Sequence, residues 1–474
     1  MGILRRPALA FLAAAALCAC SDIAPPRPQI LLVLDTDLPL VGQLSGLPAA
    51  SHDAAIDTLR VDAIDADGKV FDYRILTVPD ARDWPVSMGV TGRVRLRIRA
   101  FRAMRASPEQ VQGSAALAPP VALAVDRLVD LEPDPSSVKA LRVLLTGDCL
   151  GVPPGFLAPA RTCVDAAHRE ASPSDALQPV DGARLPASEA GSWEGARERA
   201  CTVAAGDGRV CVPGGFSILG EPALSGVMDY STLDSVPLRP VRISPFLIDT
   251  AEFTVGRFRA LVQQGLIDQG LFPLLPGAPG TADAWCAWRG VEDGVNDALP
   301  LNCVTAQAAR KACEVAGGSL PTEAQWEHAA RGRGQGRSYP WGGEPTRCCA
   351  SSVSRFSVAG VPVECEGSGP EPVGSHLRSE SCGGLGDVSR DGVLDLGGSV
   401  GELVRDKFRR FDDPCWTSTG VPLDPVCEDD TATTFVSRGG NWSAGRGNAL
   451  SAFRFSFQVG PGNGFRCVYP GGGS

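Results

Sequence analysis

Between residues 28 and 152 apolar and polar positions alternate with a period of two. In "GRVRLRIRAFRA", Val94, Leu96, Ile98 and Ala100 share one face and arginines take the other, the pattern of a half-buried strand. "QILLVLDTDLPL", "TLRVDAIDADGKVFDYRILTV" and "ALRVLLTGDCLGV" read the same way, with "DADG" as a hairpin turn. This predicts an all-β, sandwich-like unit over 28–152 with no visible chemistry, suited to presenting whatever follows. From 153 to 206 neither period holds and Ala, Pro, Ser and Glu dominate, so a linker is expected, pinned by local bridges Cys149–Cys163 and Cys201–Cys211. Beyond 207 helical periodicity enters in "TVGRFRALVQQG", "TAQAARKACEVAG" and "TEAQWEHAARG". The last opens with Thr322 and Gln325 in capping-box spacing. The second unit, 207–470, is therefore α+β.

Composition sharpens this outline. Fifty-five glycines and 39 prolines in 474 residues favour loops and short strands over long helices. A net charge of −10 gives no basic footprint, so nucleic acid is excluded as a partner. Residues 1–19 read as an export leader: Arg5 and Arg6 precede "PALAFLAAAAL", which is short for a membrane span. "LCAC" then resembles a bacterial lipobox, with Cys20 as the acylated residue and 20–27 as a tether. The expected location is the outer membrane or the periplasmic face, with the membrane reached through the lipid. Setting aside Cys18 and Cys20 leaves fourteen of the sixteen cysteines, an even count that in an exported chain implies disulfides. The four histidines are scattered and match no zinc spacing.

Four stretches of the second unit, in order, carry a resemblance. They are "VCVPGGFSILG" with "PVRISPFLIDTAEFTVGRFRALV", "LNCVTAQAARKACEVAGGSLPTEAQWEHAARG", "DGVLDLGGSVGELVRD", and "SRGGNWSAGRGNALSAFRF" with "GNGFRCV". Together they resemble the sulfatase-modifying factor, or formylglycine-generating enzyme, family. The resemblance implies a C-type-lectin-like fold, poor in regular structure. It also implies copper-dependent oxidation of a sulfatase cysteine to formylglycine, in which a pair of thiolates selects Cu(I).

Laid on the family's closing pattern R-G-G-S-Y-x-C-x4-C, Arg438, Gly439 and Gly440 match. The serine becomes Asn441, the aromatic Trp442, and the two cysteines Ala444 and Ala449. The tryptophans of the family's W-E-W run become Gly401 and Leu403. A methyl group ligates no metal, so no catalytic residue is assigned and copper is not expected. An iron-dependent sulfoxide synthase, the family's other branch, would need an H-x3-H-x-E pattern that this chain lacks.

Other features of the family carry over. Cys313 and Cys467 occupy positions joined by a bridge in the enzyme, and Cys415–Cys427 is the expected local pairing among the rest. The resemblance implies structural calcium on Asp395, the carbonyls of Gly398 and Val400, and Glu402, oxygen donors that suit a hard cation. "DVSRDGVLDLGG" starts like an EF-hand loop but has Gly398 where the twelfth-position glutamate belongs. Arg438, Asn441, Trp442 and Arg446 are expected to line the cleft that holds substrate in the enzyme. The function expected is non-catalytic recognition of a peptide, protein or glycan. The alternatives are a sulfatase-maturing oxidase and a structural envelope component.

Overall fold

The computed structural model describes residues 28–44, 55–134, 138–174, 177–180, 185–221, 232–279, 281–355 and 364–472. The leader, Cys20 and the tether lie outside the described residues. Two four-stranded sheets form the N-terminal unit. One is fully antiparallel, in the order Val70–Thr77, Thr58–Ile64, Val94–Phe101, Val125–Leu131. The other runs Gln178–Val180, Lys139–Leu145, Gln29–Thr36, Val86–Thr91, and its central pair is parallel. Leu32, Leu34, Leu59, Ile98, Val129 and Val143 fill one shared core.

The alternation read in the third strand holds, since Leu96, Ile98 and Ala100 are buried. The arginine face is more than a solvated surface. Arg95 meets Asp130 at 2.6 Å, Arg97 meets Asp62 at 2.8 Å and Arg99 meets Asp126 at 2.6 Å. The hairpin Ser107–Val111 with Ser114–Ala118 joins this face, where Glu109 and the Leu117 carbonyl take the guanidinium of the fully buried Arg60. Val125–Leu131 escaped the sequence reading because its polar positions, Asp126 and Asp130, are the partners of that ladder.

The expected linker is not a linker where the structure describes it. Gln178–Val180 adds a strand to the sheet, and Ser188 Oγ and the Glu189 amide bond Asp35. Trp193 is buried; its amide donates to Asp37 O at 2.8 Å and its indole N–H to Asp148 at 3.1 Å. Trp193 also meets Phe216 edge to face at 5.5 Å, and Phe216, Ile218 and Val421 of the second unit belong to the N-terminal core. The two units therefore share one hydrophobic interior. A composition without either period still supplied a tryptophan, and that buried residue anchors the segment.

Among its described residues the second unit has short strands and three α-helices: α1 (Val255–Gln263), α2 (Ala306–Val315) and α3 (Glu323–Ala330). Thr254, Thr305 and Thr322 cap them through their side-chain oxygens, and α3 has the full capping box with Gln325. Arg209–Val212, Phe246–Asp249 and Val468–Pro470 form one antiparallel sheet. Arg454–Ser456, Phe435–Arg438, Gly401–Lys407 and Asn463–Gly464 form another. Seven disulfides engage all fourteen remaining cysteines. The four expected pairs, Cys149–Cys163, Cys201–Cys211, Cys313–Cys467 and Cys415–Cys427, are all formed. Cys286–Cys303, Cys348–Cys365 and Cys349–Cys382 complete the set. Among the described residues no helix is long and apolar enough to cross a membrane.

Candidate functional site

Strand Phe435–Arg438 delivers the "RGGNW" stretch to the centre of the second unit. Gly439 and Gly440 both take positive φ, and a Cβ at either would stand 2.7 Å from the backbone of Leu396 or Asn448. Only glycine permits that turn. Arg438 itself is fully buried. Its guanidinium donates to Glu323 at 3.1 Å, to Glu327 at 2.5 Å and to the Ser451 carbonyl at 2.9 Å. Arg454 grips the other side of Glu323 at 2.6 and 2.7 Å. Arg438 therefore pins α3 to the sheet and does not line a cleft, contrary to the expectation from sequence. Trp442 is corrected in the same way: it is 2% exposed, its indole N–H donates to Pro461 O at 3.0 Å, and Trp285 meets it edge to face.

The other two expected cleft residues stay near the surface. Asn441 is partly buried, and its Oδ1 accepts from the amide and hydroxyl of Ser443 at 3.0 and 2.8 Å. Arg446 has a side chain 41% exposed and pairs with Glu364 at 2.6 Å.

At the two family cysteine positions, Ala449 is wholly buried against Trp341, Val353 and Cys365. Ala444 offers its carbonyl to the Ser354 amide at 2.8 Å. Gly401 is buried, and a Cβ built there would lie 2.6 Å from Asn463 Oδ1, 2.7 Å from Phe455 Cζ and 2.9 Å from Ser437 Oγ. Neighbouring side chains thus occupy the space a larger residue would need. Leu403 sits in the apolar core. No thiol or imidazole stands at these positions to hold Cu(I), so the residues present do not fit copper.

A second cluster lies beneath Gly401–Lys407. Glu402 is fully buried: Arg466 donates to its two oxygens at 2.6 and 2.5 Å, and the Trp326 indole donates at 2.8 Å. Burial, offset in part by Arg466, leaves its carboxyl above the usual range. Glu402, expected as a calcium ligand, is instead the counter-charge of a buried arginine. Asp395 accepts the Gly374 amide at 2.6 Å and sits in the left-handed region at φ 58°. Close to it lies Glu252, which the sequence reading missed. Glu252 is 1% exposed, the Ser399 side chain and the Asp395 carboxyl are its hydrogen-bonding neighbours, and Asp395 is the charge that acts on it most strongly. Burial first, then the charge of Asp395, pushes Glu252 well above the usual carboxylate range. Burial also raises Asp387 to about 8, with Asp395 adding to it, and one Asp387 oxygen is unpartnered. Among the described residues no group of three or more His, Cys, Asp or Glu side chains is disposed to hold a metal ion. The two carboxyls that adjoin here, Glu252 and Asp395, are oxygen donors of the kind a hard cation takes. An acidic residue in the apolar run just before the Thr254 cap was the available signal for Glu252.

Residues 196–470 match the family of the sulfatase-modifying factor enzyme 1-like domain. The chain belongs to this family. The formylglycine-generating enzyme of Streptomyces coelicolor is 32% identical over 165 residues, 29% of this chain and 52% of that protein. The inactive C-alpha-formylglycine-generating enzyme 2 of Bos taurus is 30% identical over 133 residues, 22% of this chain and 44% of that one. The aligned region thus spans about half the length of the curated relatives it matches. Among solved structures, PvdO from Pseudomonas aeruginosa covers 55% of this chain and 93% of its own at 19% identity, with a TM-score of 0.41. CarF covers 55% and 97% at 17% identity, with a TM-score of 0.34.

Proposed function

We propose that this protein is an exported, non-catalytic member of its family that binds a peptide, protein or glycan. The observation carrying this reading is that methyl groups stand at both family thiol positions, with Ala449 wholly buried against Trp341, Val353 and Cys365. The thiolates are absent and neighbouring side chains take up the room beside them. Seven disulfides support export. The Bos taurus relative is named as inactive, which supports persistence of the domain without formylglycine formation. With Arg438 and Trp442 buried, the contact surface falls to Asn441 and Arg446.

The test is Cu(I) competition against a chromogenic chelator, with mass spectrometry of a Cys-x-Pro-x-Arg peptide under oxygen. Neither tight copper binding nor an aldehyde product is expected. The Ala444→Cys, Ala449→Cys double variant should gain metal affinity with little turnover, because Gly401 remains enclosed. Stoichiometric copper or an aldehyde from the unaltered protein makes it an oxidase. Binding is read on glycan and unfolded-peptide arrays. A signal lost in Arg446→Ala supports the reading, and none on either array favours a structural envelope role.

We further infer that calcium is held by Glu252 and Asp395 with the carbonyls of Gly398 and Val400. The support is a buried, adjoining pair of carboxyls, Glu252 and Asp395, each held above the usual carboxylate range by burial. Calcium should raise the thermal midpoint of the full protein by stabilising the folded state alone. Glu252→Gln with Asp395→Asn should abolish that rise while leaving the Glu402–Arg466 pair intact. A midpoint indifferent to chelator in the parent protein removes the site.

A further inference from the structure

We propose that the Cys348–Cys365 bridge is a thiol–disulfide exchange site whose substrate is a pair of cysteine thiols on a client polypeptide. This site shares Arg446 with the binding reading above, whose non-catalytic character concerns formylglycine formation alone, and it rests on the geometry of the bridge itself.

Arg446 Nη2 donates to Cys348 Sγ at 3.5 Å, while its Nε pairs with Glu364 at 2.6 Å. The ion pair fixes the guanidinium over the sulfur and also offsets part of its charge. The sulfurs of Cys163, Cys201 and Cys313 instead lie against backbone carbonyls, which favour no thiolate. Cys348 also has a carbonyl nearby, that of Glu364 at 3.4 Å, so Arg446 is what sets it apart. A thiolate beside arginine is stabilised, which makes Cys348 a good leaving group and a reactive nucleophile.

The two sulfurs differ in access. Cys348 is half-buried, whereas Cys365 is 5% exposed and packs on Trp341, Val353 and Ala449. The amides of Glu364 and Cys365 both donate to Ser354 O at 3.1 Å, and the Ser354 amide donates to Ala444 O at 2.8 Å. The bridge is therefore laid beside Ala444 and Ala449 with its more accessible sulfur outward.

The exchange balances without a further reagent. A client thiolate attacks Cys348 Sγ, the Cys348–Cys365 bond breaks, and Cys365 leaves as a thiolate and takes a proton. The second client thiolate attacks the client sulfur of the mixed disulfide, and Cys348 leaves as a thiolate facing Arg446. The client has lost two electrons and gained a disulfide, and the bridge has become two thiols. Repeated turnover requires a disulfide-donating oxidant such as oxidised glutathione.

The experiment uses the full-length protein in graded reduced and oxidised glutathione, with alkylation and peptide mapping. Cys348 and Cys365 should be alkylated at lower reductant than Cys313–Cys467 or Cys286–Cys303. The pH profile for alkylating Cys348 should have its midpoint below about 7.5. Arg446→Gln should move it toward the ordinary thiol value of ~8.5, and Arg446→Lys should restore most of the shift. A purely structural bridge predicts no such movement. In Cys365→Ser, the Cys348 thiolate should attack a client peptide that carries a reporter disulfide, release the reporter as a thiolate and hold the peptide as a mixed disulfide. The proposal is overturned if the bridge opens together with the buried ones, or if Arg446→Gln leaves the Cys348 profile in place. Both readouts survive even if the Cys365 variant fails to fold.

Discussion

Arg438→Ala is expected to cost about 3–5 kcal/mol of folding stability, the range for removing one partner of a buried ion pair. Arg438 and Glu323 have fully buried side chains, Glu327 is 1% exposed, and the pairs measure 3.1 and 2.5 Å. Deleting the guanidinium leaves Glu327 to Arg331 at 3.3 Å and the Gly220 amide at 2.8 Å, and leaves Glu323 to Arg454. It also removes a donor from the carbonyl of Ser451, and it opens a cavity beside Trp326, whose ring Arg438 faces at 5.2 Å. Arg446 lies eight positions further along the same stretch and is the internal control. Its pair with Glu364 is close to half exposed on both sides, so Arg446→Ala should change stability by less than ~1 kcal/mol. Guanidinium unfolding with bridges intact, followed by tryptophan emission, measures both. Equal midpoints for the two variants would contradict the assignment of Arg438 to the core.

The second large effect concerns Cys313–Cys467, which ties α2 to the strand Val468–Pro470 across 154 residues. In the chain-entropy picture, closing a loop of that size restricts the unfolded chain by about 5 kcal/mol, against ~3 kcal/mol for the 12-residue span of Cys415–Cys427. Both sulfurs are fully buried, so alanine at each position adds only a small packing loss. The Cys313→Ala, Cys467→Ala variant should therefore unfold at lower denaturant than Cys415→Ala, Cys427→Ala. The ordering is the readout. If the short-loop variant is the weaker of the two, restriction of the unfolded chain is not what this bridge contributes.

Within the sequence, periodicity and cap chemistry carried furthest. Thr322 and Gln325 close their capping box as spaced, and Leu96, Ile98 and Ala100 face inward as alternated. Such features depend on neighbours within a few residues, so a linear reading finds them. The four anticipated bridges held for two reasons. Three are short-range, at separations of 10, 12 and 14 residues. The fourth came with the family resemblance.

The misreadings share a different cause. Arg438 and Trp442 looked like a recognition pair because a cation beside an aromatic suits a ligand, yet the same residues suit a core once their partners arrive. Those partners, Glu323 and Pro461, are respectively 115 and 19 residues away, and nothing local announces them. Glu402 likewise meets Arg466 across 64 residues, a pairing that nothing local announces. Residues 153–206 had no period because they are held by single anchors such as Trp193.

By itself the sequence determined the family, the even set of bridges and the loss of the copper thiols, because each is a matter of which atoms are present. Only the tertiary structure decided which charges are buried partners and which remain at the surface. It also showed that neighbouring side chains surround Gly401, and that Arg446 comes to rest over Cys348. Burial and electrostatic pairing are properties of distance in space, and the fold alone sets those distances.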